Sequence, residues 1–151
     1  MDMKTRVAGR IARPVHEVFE AVADPDKLSG YFTTGGAQGR LETGAVVTWD
    51  FADFPGAFPV NVVEVVPDEK IVLHWGAQPE PDGQAYDTTV TITFAQLDDG
   101  RTLVVIVEEG WKETETGFKS LVSNTEGWTG MLCALKVYVE YGINLREGFY
   151  K

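Results

Sequence analysis

The sequence predicts an α+β fold in which a curved antiparallel sheet of about six or seven strands wraps one long C-terminal helix. Three features carry this. A series of strand-like runs separated by turns fills the middle of the chain, with no helical pattern between them, so the strands are joined as hairpins rather than as βαβ units. The apolar spacing then changes in the last third from a period of two to a helical period, from Phe118 to Ile143. Two short helical patterns follow the first strand. Only the final helix is large enough to cover one face of such a sheet, which makes a helix-grip architecture.

Residues 5–13 alternate, with Val7, Gly9 and Ile11 on one parity, and read as a half-buried strand. Pro14 suits the first turn of a helix, where its missing N–H has no partner to lose. Val15, Val18, Phe19 and Val22 give that helix an apolar face, and Asp24-Pro25 ends it. Asp24 caps a second short helix running from Pro25 to about Tyr31. The glycine-rich stretch from Thr33 to Gly44 reads as a loop. Strands follow around Val47, Trp49 and Phe51, over residues 58–66, around Ile71, Leu73 and Trp75, and around Val90, Ile92 and Phe94. Pro67-Asp68-Glu69 and Asp98-Asp99-Gly100 are the turn signals. The run at 101–109 is the last strand, and its parity puts either Glu108 or Glu109 on the inner face; with Leu103, Val105 and Val107 taken as inward, Glu109 follows them inside. In the final helix Ser123-x-x-Glu126 matches a capping box and suggests a start there.

Composition excludes several function classes. With 151 residues the chain suits one domain with a real core. A formal net charge of -10 repels phosphate backbones and anionic headgroups, so neither nucleic acid nor a membrane surface is an expected partner. No apolar stretch is long enough to span a bilayer, and the charged first residues contain no leader-like segment. Cys133, the single cysteine, permits no internal disulfide and fits a reducing, cytoplasmic setting. Two histidines and one cysteine, far apart in sequence, make no metal site, and no phosphate loop, dinucleotide fingerprint or GxSxG elbow occurs. No metal and no cofactor is therefore expected.

The order of motifs resembles a known family. Ile11-Ala12-Arg13-Pro14, then Val18-Phe19-Glu20-Ala21 and Asp24-Pro25-Asp26-Lys27-Leu28, is similar to the opening of the activator-of-heat-shock-ninety-ATPase homologue family, within the SRPBCC (START-like and birch-pollen-allergen-like) superfamily. Tyr31-Phe32 stands where such proteins usually carry Trp-Phe. Val62 to Pro67 and Lys70 to Trp75 resemble the central hairpin of that family, and Gly127-Trp128-x-x-Met131-Leu132-x-x-Leu135-Lys136 its C-terminal helix. The resemblance implies the helix-grip fold and a space between sheet and helix that can hold a small apolar molecule.

Strand and helix parity then nominate the lining: Phe32 after the second short helix; Trp49, Phe51, Trp75, Ile92 and Phe94 from the sheet; Val107 and Glu109 from the last strand; Trp128, Leu132 and Leu135 from the helix. The same rings make a filled core if they meet. His74 has outward parity, His16 sits in a solvated first turn, and Cys133, between Leu132 and Ala134, reads as a small packing residue. The expected function is binding of an apolar or aromatic small molecule, as a carrier or sensor, without a catalytic set. One alternative is a cyclase- or hydrolase-like enzyme using Glu109, Asp50, Tyr86 or Tyr138, although nothing pairs them. Another is a protein-interaction or chaperone-cofactor domain. A homodimer is compatible with each, since the edge strands of such a sheet can pair.

Overall fold

A computed structural model describes residues 2–151. Strand β1 (Lys4–Ile11) is followed by helices α1 (Val15–Ala23) and α2 (Pro25–Leu28), then by β2 (Gly36–Gln38), β3 (Val46–Phe51), β4 (Phe54–Val66), β5 (Lys70–Gly76), β6 (Asp87–Gln96), β7 (Thr102–Glu109) and the long helix α3 (Glu115–Tyr141). The strands form one antiparallel sheet in the order β1-β7-β6-β5-β4-β3-β2. From β2 to β7 it is a meander. β1 adds to the far edge beside β7, so α1 and α2 carry the chain from one edge of the sheet to the other.

Local chemistry explains the element ends. The Asp24 side chain accepts from the Asp26 N–H and opens α2. That helix stops at Leu28, short of Tyr31; beyond it the chain tightens into turns, with the Gly30 N–H on the Lys27 carbonyl and the Tyr31, Phe32 and Thr33 N–H groups all converging on the Leu28 carbonyl. The expected loop between Thr33 and Gly44 includes the short edge strand β2, paired with β3 from Gly36↔Asp50 to Gln38↔Thr48. Helix α3 starts at Glu115, not near Ser123. Thr114 is the N-cap, its Oγ1 accepting from the Gly117 N–H at 3.0 Å. Gly117 is required there, because a Cβ would collide with the Lys112 carbonyl oxygen. At the other end Gly142 takes φ 71° and returns its N–H to the Tyr138 carbonyl, a left-handed cap that glycine adopts without strain.

The core lies between the concave face of the sheet and the inner side of α3. Val47, Trp49, Val60, Ile71, Leu73, Val90, Ile92, Val104 and Ile106 meet Trp128, Met131, Leu132 and Leu135 there. Gly9 brings β1 close to α3: a Cβ would lie 3.1 Å from Leu132 Cδ2. Tyr31 is fully buried and donates to the Ala21 carbonyl at 2.9 Å; burial, helped by Tyr138, pushes its phenol well above the usual tyrosine range.

The structure corrects the parity of β7. Thr102, Val104, Ile106 and Glu108 face inward, while Leu103, Val105 and Val107 lie on the half-covered outer face and Glu109 is exposed. Pairing with β6 decides this. Val90, Ile92 and Phe94 point into the core, and their direct partners are Glu108, Ile106 and Val104. Residues opposite each other in an antiparallel pair share a face. Cys133 is also corrected: it lies on the exposed side of α3. No helix among the described residues is long and apolar enough to cross a membrane.

Candidate functional site

The inward carboxylate of Glu108 has no solvent exposure, and polar groups from three other elements converge on it. Trp128 Nε1 donates to Oε1 at 2.7 Å. Trp75 Nε1 donates to Oε2 at 2.9 Å, and the Thr88 hydroxyl donates to the same oxygen at 2.6 Å. Asn124 Nδ2 donates to Oε1 and Oε2 at 3.0 and 3.2 Å. A buried carboxylate is tolerable only when its oxygens are satisfied in this way. The result ties β5, β6, β7 and α3 together at one end of the sheet.

Its consequence is the placement of two indoles. Trp75 and Trp128 lie with ring centroids 5.2 Å apart and planes tilted by 32°. They belong to a larger aromatic cluster. Phe32 packs on Trp128 at 5.7 Å, on Trp49 at 5.7 Å and on Phe51 at 5.0 Å. Trp49 meets Trp75 edge-on at 6.0 Å, and Phe58 bridges Phe51 and Trp75. These spacings are those of favourable edge-to-face and offset pairs. The rings meet one another, so the inner space between sheet and helix is filled rather than hollow.

A cleft of about 450 Å³ lies open above this aromatic floor. Phe32, Phe51, Trp75 and Trp128 form its base; Phe54, Ser123, Asn124, Glu126 and Gly127 its sides. The segment after α3 crosses one end and contributes Arg146 and Tyr150. Arg146 pairs with Asp53 at 3.0 and 3.2 Å, and both side chains are only 10% exposed. Its guanidinium also lies 4.7 Å from the Phe51 ring centroid, 5.0 Å from that of Tyr150 and 5.7 Å from that of Phe32.

The nominated residues divide accordingly. Phe32, Phe51, Trp75 and Trp128 line the cleft. Trp49 sits behind it, with its indole N–H buried and without a hydrogen-bond partner. Ile92, Phe94, Leu132 and Leu135 are core residues away from the cleft, Phe94 packing edge-on against Phe19. Val107 lies on the outer face and Glu109 in solvent. Asp50 accepts from the Gly56 N–H, Tyr86 from the Lys112 N–H, and Tyr138 stacks near Tyr31, so these groups are dispersed. Sequence reasoning preferred Glu109 to Glu108 as the inward carboxylate and missed Thr88, Asn124 and Arg146. The i, i+4 spacing of Asn124 and Trp128 on α3 was the available signal, together with the β6–β7 hairpin register. Among the described residues, no group of three or more His, Cys, Asp or Glu side chains is placed to hold a metal.

Comparison with protein families matches residues 12–140 to the family described as Activator of Hsp90 ATPase homolog 1-like protein. The chain belongs to that family. Solved structures share the fold. Protein SSP2350 from Staphylococcus saprophyticus is 29% identical over 97% of this chain and 96% of its own, with a TM-score of 0.76. DynU16, a protein of the dynemicin biosynthetic locus, is 25% identical over 94% of this chain and 49% of its own, at a TM-score of 0.77. The Aha1 dimer from Colwellia psychrerythraea is 17% identical over 92% of this chain and 97% of its own, at 0.73, and shows likeness of fold alone. No curated protein matches. The family match ends at residue 140, just before the segment that carries Arg146 and Tyr150 across the cleft of this family member.

Proposed function

We propose that this family member binds a flat apolar or aromatic small molecule in the cleft beside α3, as a carrier or sensor. The observation that carries the reading is the aromatic floor: Trp75 and Trp128 are fixed in place by Glu108 beneath an open cleft of about 450 Å³. That volume falls in the range of small-molecule sites, and the combination of apolar base and sparse polar rim is typical of them. Holding the rings rigidly in advance reduces the ordering that a ligand must impose. On this reading the ligand lies in the cleft against Trp75 and Trp128, not deep between sheet and helix, where the rings pack on one another.

Gly127 offers a clean test. It lines the cleft, and a Cβ there meets nothing within 4 Å. Gly127→Leu fills the cleft while replacing a poor helix residue with a good one, so stability is expected to rise by up to about 1 kcal/mol. A two-ring aromatic such as 2-naphthol, added at about one hundred times its Kd, is expected to raise the wild-type melting temperature by about 5–10 °C. The same probe is expected to leave Gly127→Leu unchanged. An equal shift in both proteins would overturn the cleft as the site.

A second reading is self-association. Tyr141, Ile143, Leu145 and Phe149 expose apolar surface on the C-terminal segment, and a protein of the same fold from Colwellia psychrerythraea is a dimer. Sedimentation equilibrium tests it: a monomer at all concentrations would remove this reading without touching the cleft.

A further inference from the structure

Glu108 does more than orient two rings; it takes up the donors of the cleft floor, while the sides keep the Ser123 and Tyr150 hydroxyls, which can donate or accept, and the Glu126 carboxylate, which accepts. The indole N–H groups of Trp75 and Trp128 both donate to the Glu108 carboxylate, so neither is offered to the cleft. Asn124 lines the cleft as well, and its Nδ2 is held by both Glu108 oxygens at 3.0 and 3.2 Å. The opposite amide assignment would set Oδ1 against a carboxylate that can only accept, so the network fixes the orientation. Oδ1 is therefore turned away from Glu108. It is not one of the fully buried atoms without a partner, and no hydrogen bond from the described residues reaches it, so it is an accessible, unengaged acceptor on a residue that lines both this cleft and the adjoining groove beside Trp75. The one cationic side chain among the residues lining the cleft, Arg146, is committed to Asp53 and to the rings of Phe51 and Tyr150.

We infer that the ligand is a planar aromatic carrying a hydrogen-bond donor, a phenolic hydroxyl or a ring N–H, whose proton is read by Asn124 Oδ1. Glu108 is the positioning residue that presents this acceptor. The inference rests on the cleft reading above and narrows it to a chemical class.

Two probes of nearly equal shape separate the two claims. 2-Naphthol has the donor; 2-methoxynaphthalene replaces it with a methyl ether, which adds apolar area and would bind equally or more tightly in a purely apolar site. By isothermal titration, 2-naphthol is expected to bind about three- to tenfold more tightly, the worth of one neutral hydrogen bond. In Asn124→Ala that ratio is expected to fall to one or below; because it is a ratio within one protein, a general loss of affinity cancels. Equal or tighter binding of the ether to the wild type would overturn the donor inference and leave the cleft reading standing. A naphthol preference that survives Asn124→Ala would overturn the role of Asn124. Failure of both probes to bind would overturn the cleft reading and this inference with it. The wild-type ratio decides the donor inference even if Asn124→Ala does not fold, and Asn124→Asp, of the same size, then tests the position: a naphthol preference unchanged there would overturn the role of Asn124.

Discussion

Replacing Glu108 with glutamine changes no volume and still breaks the network, for a reason that can be followed atom by atom. Oε1 accepts from Trp128 and Asn124, and Oε2 accepts from Trp75 and Thr88. Glutamine supplies one oxygen and one NH2. Whichever side the NH2 takes, it faces an indole N–H, which donates only and cannot turn round. The second group on that side can adapt, since the Thr88 hydroxyl rotates and the Asn124 amide flips. One buried indole N–H is thus left without an acceptor. The penalty for such a donor is about 1–3 kcal/mol. For a chain of this length that lowers the melting temperature by about 2–12 °C. Urea denaturation at neutral pH, with Glu109→Gln as control, is the assay. Glu109 is exposed, so its variant is expected to stay within about 0.5 kcal/mol of the wild type. Glu108→Leu, which strips the acceptor from every donor, is expected to be worse than Glu108→Gln. Equal stability of Glu108→Gln and the wild type would refute the network as a structural clamp.

Other perturbations act at separate places. Gly117→Ala forces a Cβ against the Lys112 carbonyl at the start of α3 and is expected to lower stability by about 1–3 kcal/mol in urea. Arg146→Ala leaves Asp53 unpaired and frees the segment across the cleft; hydrogen exchange is expected to speed up at residues 144–150 while the sheet is unchanged, and unaltered exchange there would refute the strap. Among the described residues four carboxylates are held below their ordinary values, and of these Glu20 and Glu140 are the ones with some burial, whereas Asp99 and Glu115 are exposed. The hydrogen bond and charge of Arg40 hold Glu20 below its ordinary value of 4.5. Burial would raise Glu140, but the Ala12 N–H and Lys136 outweigh it, and the net shift is downward. A group depressed in the folded state contributes stability that is complete above its unfolded value and is lost as pH falls through its folded one. Melting temperature is therefore expected to drop below about pH 4.5, and Glu140→Gln to flatten that drop. A wild-type melting temperature constant down to pH 3 would contradict this.

Much of the architecture was legible because turn chemistry and parity agreed. Asp98-Asp99-Gly100 marked the β6–β7 hairpin, and Val90, Ile92 and Phe94 alternated cleanly with threonines. The run at 101–109 failed as a guide because it is apolar on both parities: Leu103, Val105 and Val107 lie under partial cover on the outer face while Val104 and Ile106 fill the core. Register relative to β6 resolves it, and that information lies in the partner strand. The start of α3 was misplaced for a different reason. Thr114 is followed by Gly117, where a capping box would carry Glu or Gln, whereas Ser123-x-x-Glu126 has the pattern but sits inside the helix. The floor of the cleft was legible in part, since Trp75 and Trp128 follow from spacing. Asn124 and Thr88 were not, because a lone polar residue at core spacing acquires meaning only when the carboxylate facing it is known. Arg146 finds Asp53 at a separation of 93 residues, with β4 to β7 and α3 between them, and no local pattern encodes such a pair. Whether rings enclose a hollow or meet each other depends on side-chain volumes in three dimensions, and here they meet.

The central claim is that a flat aromatic molecule sits on the Trp75–Trp128 floor. The most direct measurement is a ¹⁵N-edited NMR titration with 2-naphthol that follows the four indole N–H resonances. Saturable shifts are expected at Trp75 and Trp128, which border the cleft, with Trp111 unmoved. Absence of saturable shifts at Trp75 and Trp128, or their appearance only around Cys133 and Phe149 on the far side of the C-terminal segment, would contradict it.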